Sequence, residues 1–527
     1  MLEQRFSRRA FLGAAASVLA APAIVGCASA RRWQNDPFSL GVASGWPSPD
    51  GFVLWTRLAP EPLNYDPAAP AGMSRDAIAI SYEIAADPTM REIVSRGTAL
   101  ADPRFAYSVH AEIGGLQPGR SYWYRFVSGD AVSRVGRAIT TAAPGTAVER
   151  LSFGFVSCSN YEHGYFAAYR HLADEQPDLV LFLGDYIYEY PDGRVNEIVR
   201  RHSEGVETAN LAAYRNRYAQ YRLDPDLQRL HAEATALMTW DDHEVQNDYA
   251  DQWSQTFDDP QRFLMRRAAA YQTYYEHMPV RAVSRPNGPL MRIYDRLAFG
   301  DLLEISLIDG RQYRSRGACY GRPDKGRAHL ETNASCPERL VESRSLLGAQ
   351  QEAWLFDGFA KSSARWNVLA GDVMISQWKQ QNSAGETAFW TDDWNGYPAA
   401  RVWLINRIRD SRLSNPVTVC GDVHAYWAND VKLDFDDPSS PTVATEFVGT
   451  SVSSRPAPYE AFAPFLPANP HVRYFESRQR GYVSCALTRQ AMTTRFRVVS
   501  NVADPKATVS TLRSFVVEDG KPGAIDA

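Results

Sequence analysis

Apolar and polar positions alternate in short runs over the first part of the chain. They then give way to longer apolar runs that stop abruptly at acids. Between about residues 36 and 140, "FVLWTRL", "ISYEIAAD", "YSVHAEIGGL" and "SYWYRFVSG" are rich in β-branched and aromatic residues and are spaced by Gly, Pro and Asp turns. This pattern predicts a small all-β domain over 36–140. "TTAAPGTAVER", residues 140–150, reads as a linker. After it, "LSFGFVSCS" predicts a strand, "GYFAAYRHLADEQ" a helix and "PDLVLFLGDYIYE" a fully buried strand. Strand, helix, strand implies a parallel sheet. "ANLAAYRNRYAQYRLDPDLQRLHAEA" predicts one long helical stretch and "MRRAAAYQTYYEHM" another. "TALMTWDDHEVQND", "RLAFGDLLEISLIDGRQY", "RWNVLAGDVMIS" and "NPVTVCGDVHAYWAND" supply further strands, so an α/β domain is expected over 150–515.

At 527 residues the chain is too long for one ordinary core, which agrees with two or more domains. An apolar fraction of 45% is that of a globular protein, and 26 Tyr with 13 Trp argue against disorder. A net charge of −5 gives no reason to expect a nucleic-acid partner. "LQPGRSYWYRF" resembles the turn and strand of immunoglobulin or fibronectin-type sandwiches, with Tyr122 or Tyr124 as a corner tyrosine.

Residues 1–30 stand apart. Arg8 and Arg9 precede Phe11-Leu12 and an alanine-rich run to Gly26, too short and too rich in small residues for a transmembrane helix. The segment resembles a twin-arginine export signal, which implies the twin-arginine machinery as a partner and a periplasmic or cell-envelope destination. Its end reads two ways: "ASA", Ala28–Ala30, suits ordinary cleavage, and "IVGC" resembles a lipobox that would anchor the protein through a lipidated Cys27.

Of six cysteines, Cys319 and Cys336 flank a polar, Gly-rich segment and are the expected disulfide. Cys158, at the end of a buried strand, remains. It could be half of a disulfide with Cys420 or Cys485, a nucleophile, or a metal ligand.

Five segments share one arrangement, an apolar strand stopped by ligand-type residues. They end at Cys158; at Asp185 and Tyr188 in "GDYIY"; at Asp241, Asp242 and His243 in "DDHE"; at Asp372; and at Asp422 and His424 in "GDVH". Ligands bind at the carboxyl ends of strands in open α/β sheets, so separate strand ends can converge. Each piece alone is a turn or a packed side chain more often than a ligand. Together, several acids on one rim would repel each other without a cation. Carboxylates suit hard ions, whereas thiolate and imidazole suit iron or zinc, so two different metals are implied. Two metals can clamp a phosphate and activate a water, with Asp185, on the most apolar strand, as the expected bridge.

"GDYIYEY", "WDDHEVQND" and "GDVHAYW", with the leading "SCS", resemble the calcineurin-like metallophosphoesterases and in particular the PhoD-type alkaline phosphatase family. The resemblance covers nearly the whole mature chain. It extends from "GVASGWPSPDGFVLWTRL" to "SFVVEDGKPG", and the twin-arginine signal also fits. It implies a two-sheet α/β sandwich behind the small immunoglobulin-like β domain, and an iron(III) and calcium centre with one or two calcium ions. Zinc or manganese would be the less expected metals. Cys158, Tyr188 and His424 would ligate iron, Asp185 would bridge, and Asp242 and Asp422 would bind calcium. Asp372 is a further acid candidate. His243 would donate a proton or contact the phosphate. The implied reaction is hydrolysis of phosphate esters by a metal-activated hydroxide in an exported enzyme. Two positions depart from the family pattern: Gly371-Asp372 stands where the segment usually carries glutamine, and Gly310 where threonine is more common.

Other chemistries lack support. There is no Gly-x-Ser-x-Gly elbow, no second histidine after "HEVQN", and no Gly-Lys-Ser phosphate loop. A phosphodiesterase or phospholipase D-like activity on the same scaffold remains an alternative. So does a non-catalytic envelope protein with a structural metal, although an unligated His243 argues against it.

Overall fold

A computed structural model of the chain describes residues 31–64, 66, 69–193, 198–203, 205–321 and 328–527. The export-signal reading, with Arg8, Arg9 and Cys27, lies outside the described residues. Two large mixed sheets organise the molecule. The first has ten strands and contains a parallel set: Arg150–Val156, Leu179–Leu183, Thr235–Thr239 and Val42–Ser48. The second has seven strands, and its parallel set is Leu303–Leu307, Trp366–Ala370, Pro416–Cys420 and Thr442–Val448. Antiparallel strands flank both sets.

Side chains from both sheets meet in one hydrophobic core. Phe153, Phe155 and Leu181 from the first share it with Ile305, Val368, Val419 and Phe447 from the second. The strand Leu179–Leu183 reads LVLFL and is buried at every position, as a parallel strand covered on both faces must be. Each such side chain contributes about 1.5–3 kcal/mol on full burial. Strand Trp366–Ala370 shows the alternation instead: Trp366, Val368 and Ala370 face the intersheet core. Leu369 faces helices Gly348–Lys361 and Pro398–Asp410 through Leu355, Phe359, Leu404 and Ile408.

The N-terminal strands are not a detached module. Val42–Ser48 pairs in parallel with Thr235–Thr239, and Gly51–Arg57 and Ser108–Ile113 extend the ten-stranded sheet beyond it. The remaining strands of that region form a separate five-stranded sheet. It packs on the extension through Phe52, Leu54, Tyr124 and Phe126. Of the two corner candidates, the Tyr122 hydroxyl accepts from the Gln117 N–H at 3.0 Å, while Tyr124 is buried in that core.

The long helical stretch is two helices, Leu211–Arg222 and Pro225–Glu233. The break is local: Pro225 removes an N–H, and the Asp224 carboxylate accepts from the Asp226 and Leu227 N–H groups as an N-cap. Cys319 and Cys336 form a disulfide, with Cα atoms 5.9 Å apart. Cys158, Cys420 and Cys485 are free thiols, so the disulfide reading of Cys158 with either partner is dropped. Among the described residues, no helix is long and apolar enough to cross a membrane.

Candidate metal centre and active site

The parallel strands of both sheets end at one place. Cys158, Asp185, Asp241, Asp309, Asp372 and Asp422 each lie two residues beyond a strand end. The turns that follow are tight: Cys158, Asp185, Asp422 and His424 all have positive φ, at 59°, 53°, 65° and 50°. Non-glycine residues in this region are strained and cluster at functional sites. Gly184, at φ 94°, has no room for a side chain, because a Cβ there would lie 2.4 Å from the Asp241 Cβ. That close approach brings the Asp185 and Asp241 turns together.

Cys158, Asp185 and His424 place thiol, carboxylate and imidazole atoms within 4.8 Å of one another. The Tyr188 hydroxyl joins them, donating to Asp185 Oδ2 at 2.9 Å and lying 3.1 Å from His424 Nε2. His424 Nδ1 faces the Arg455 carbonyl at 2.7 Å, which points Nε2 at this group. Asp185 also belongs to a second group with Asp242 and His243, and Asp242 to a third with Asp248 and Asp392. Burial pushes the Cys158 thiol, the Tyr188 phenol and the Asp185 carboxyl up, and the surrounding acids push them further. A bound cation reverses that tendency by favouring the ionised donors. The donor chemistry fits two kinds of ion: a mixed thiol, phenol and imidazole set on one side of Asp185, and oxygen donors on the other. Asp242 Oδ1 is buried and has no protein partner.

His243 is held from behind. Its Nδ1 lies 2.6 Å from Glu189 Oε2, while Glu189 Oε1 accepts from the Asn247 N–H at 2.9 Å. Burial pulls the imidazolium down, but Glu189, Tyr190, Asp185 and Asp242 outweigh it and hold it well above its usual range. Glu244 ties the turns together: its carboxylate accepts from the N–H groups of Asp185 at 3.1 Å, Tyr186 at 2.7 Å and Asp241 at 3.0 Å.

A fully buried Arg311 sits behind the acids. It contacts Asp241 at 2.5 Å, Asp392 at 2.6 Å, and both Asp242 and Asp372 at 3.7 Å. Arg314 reaches Asp392 at 3.1 Å and Asp372 at 3.9 Å. Asp372 thus lies against two guanidinium groups and outside the three convergent donor groups. Burial outweighs both arginines and lifts its carboxyl to about 6. The two departures noted in the sequence are spatial neighbours. A Cβ at Gly310 would fall 2.3 Å from both Asp372 carboxylate oxygens, so the missing side chain at 310 makes room for the acid at 372.

These groups open onto a cavity of about 360 Å³ lined by Asp185, Asp242, His243, Asp422 and His424, among others. Sequence reasoning missed Glu189, Glu244, Asp248, Arg311 and Asp392. The first three lie inside quoted motifs as acids beside the named ligands. Arg311 follows a strand end, and Asp392 lies two residues beyond the short strand Thr387–Trp390, which sequence reasoning did not single out.

An α/β fold thus gathers carboxylates, imidazoles, a thiol and a phenol at the ends of two parallel strand sets, a donor set able to hold metal ions beside a histidine. The chain belongs to the PhoD-like phosphatase family: residues 153–496 match that family, and residues 24–142 match its N-terminal domain. It is 43% identical over 502 residues to alkaline phosphatase D of Bacillus subtilis (strain 168), covering 94% of this chain and 83% of that protein. A solved structure titled "Structure of PhoD" superposes with a TM-score of 0.88 at 42% identity, covering 94% of this chain and 93% of that one. The protein is a phosphatase, a phosphoric ester hydrolase, and the non-catalytic reading falls away.

Proposed function

We propose that the protein is an exported alkaline phosphatase whose centre combines Fe3+ with one or two Ca2+. The observation that carries this reading is the convergence of Cys158, Asp185, Tyr188 and His424 beside Asp242 and His243. Cys158, Tyr188 and His424 would hold iron, Asp185 would bridge, and Asp242 with Asp422 would hold calcium. Asp248 and Asp392, with Asp242, are the donors for a second calcium. Asp372 is assigned to the arginine network, where it helps offset two buried guanidinium charges. When bound, the cations supply an activated water and neutralise charge building on the phosphoryl oxygens.

The chain's own groups do the rest. His243 lines the cavity, and its protonated form is favoured by Glu189 at Nδ1, so it can give a proton to the departing alcohol. Glu189 occupies Nδ1 and leaves Nε2 as the donating atom. Glu244 keeps the Asp185 and Asp241 turns in register. Export by the twin-arginine pathway to the periplasm or envelope is supported by Arg8-Arg9 and by a disulfide, which suits an oxidising compartment. Lipidation at Cys27 is the variant of that reading.

Elemental analysis of mature protein, exported folded and purified without chelator, tests the centre. About one iron and one or two calcium ions per chain are expected. Zinc or manganese in place of iron would remove Cys158 and Tyr188 as iron ligands, and no stoichiometric metal would overturn the centre. The ratio of diester to monoester turnover on the same preparation decides between phosphomonoesterase and phosphodiesterase.

A further inference from the structure

The reaction just described uses only part of the cavity. Beside Asn247, Gln380 and Asp393, the rest of its lining carries an apolar and mostly aromatic wall: Met374, Trp378, Trp390, Val423, Trp427 and Phe462. Val423 lies between Asp422 and His424 in sequence, so this surface begins at the metal-donor turn itself. It is also braced. The Trp378 and Trp427 rings are 4.8 Å apart at 72°, Phe462 lies 6.0 Å from each, and Phe475 backs Trp427 at 4.3 Å. The Trp378 backbone N–H donates to Asn395 Oδ1 at 3.2 Å, an oxygen also held by Arg401 at 2.7 Å. Trp378 and Trp427 are buried, whereas Trp390 is 38% exposed. Among the described residues lining the cavity there is no lysine or arginine.

An ester with its phosphorus at the Asp185, Asp242 and His243 group has its alcohol half as the only part left to meet this surface. We infer that the aromatic wall is the subsite for the alcohol half of the substrate. It selects phosphate esters whose alcohol carries an uncharged aromatic or flat apolar group. The inference rests on that placement of the reacting phosphorus. A ring laid on the wall leaves water and packs against other rings, which favours it over a short alkyl group. A second anionic group would lose its hydration there with no described protein cation to replace it.

The test compares kcat/KM of the metal-loaded enzyme for benzyl and ethyl phosphate, whose alcohols are of similar acidity, and for 4-carboxybenzyl phosphate. Benzyl phosphate is expected to exceed ethyl phosphate by roughly 10- to 100-fold. The added carboxylate is expected to remove most of that gain. Phe462→Ala and Trp390→Ala should each lower the benzyl to ethyl ratio. The exposed position of Trp390 keeps the test alive should Phe462→Ala fail to fold. A ratio near one in the wild type, or one unchanged in both variants, overturns the subsite alone. No turnover of any of the three esters overturns the placement of the reacting phosphorus and the subsite with it.

Discussion

Replacing Glu189 by Gln separates a proton-donating His243 from one that merely contacts phosphate. The two side chains are 8% and 1% exposed, and Nδ1 and Oε2 are 2.6 Å apart. Two unit charges about 4 Å apart attract by about 4 kcal/mol at an effective dielectric of 20. Gln keeps the shape and one acceptor oxygen but loses that attraction, so the imidazolium becomes far easier to deprotonate. Cations held at Asp185 and Asp242 would oppose a charged His243, which would leave Glu189 as the partner that favours its proton. General acid catalysis is worth roughly 10²–10⁴ in rate, and Glu189→Gln should remove about 10² of it. The loss must depend on the leaving group. Ethyl phosphate needs a proton on its departing oxygen and should slow by about 10², whereas p-nitrophenyl phosphate leaves as a stable phenolate and should slow less than about threefold. Stability should fall by only about 1 kcal/mol, because the Asn247 N–H keeps an acceptor. The assay is kcat on both substrates across pH, with thermal unfolding as a control. An equal loss on both substrates, or no loss on ethyl phosphate, refutes the proton-donor role.

Two further outcomes are expected. Gly310→Ala should cost about 1–3 kcal/mol of unfolding free energy, because its Cβ would crowd the Asp372 oxygens at 2.3 Å. In an Asp372→Ala background that cost should shrink by at least about 1 kcal/mol, and a double-mutant cycle in urea showing additivity would dismiss the coupling. His110 is half-buried, stacked on Tyr275 at 4.2 Å and 3.0 Å from the Met278 carbonyl, and the desolvation of its ring lowers it from 6.5 to about 4. The unfolded chain therefore takes up a proton that the folded chain refuses between those values. Stability present above pH 6.5 is lost as pH falls toward 4, by about 3 kcal/mol in order of magnitude. His110→Gln should flatten that acid limb, and an unchanged slope would show that other groups set it.

The chain's sequence determined by itself what depends on neighbouring residues. An apolar run stopped by an acid marks a strand end wherever it falls, so Cys158, Asp185, Asp242, Asp372, Asp422 and His424 were all visible before any fold was known. The same holds for the parallel sheet after residue 150, because strand, helix and strand follow one another along the chain. The break at Asp224-Pro225 was equally local, and its capping and proline signals outweigh the helical spacing on either side. Only the tertiary structure decided what depends on distant pairing. Strand Val42–Ser48 joins the sheet through Thr235–Thr239, almost two hundred residues away, and its own sequence reads the same in a separate β module. Asp372 carries the signature of a metal ligand, yet Arg311 and Arg314, some sixty residues earlier, place it in an ion network. Glu189 becomes the partner of His243 only once strands Leu179–Leu183 and Thr235–Thr239 pair, and Gly310 the space for Asp372 only once Leu303–Leu307 pairs with Trp366–Ala370. Sequence periodicity reports which face of an element is buried. It carries no record of which charge on another element that face will meet.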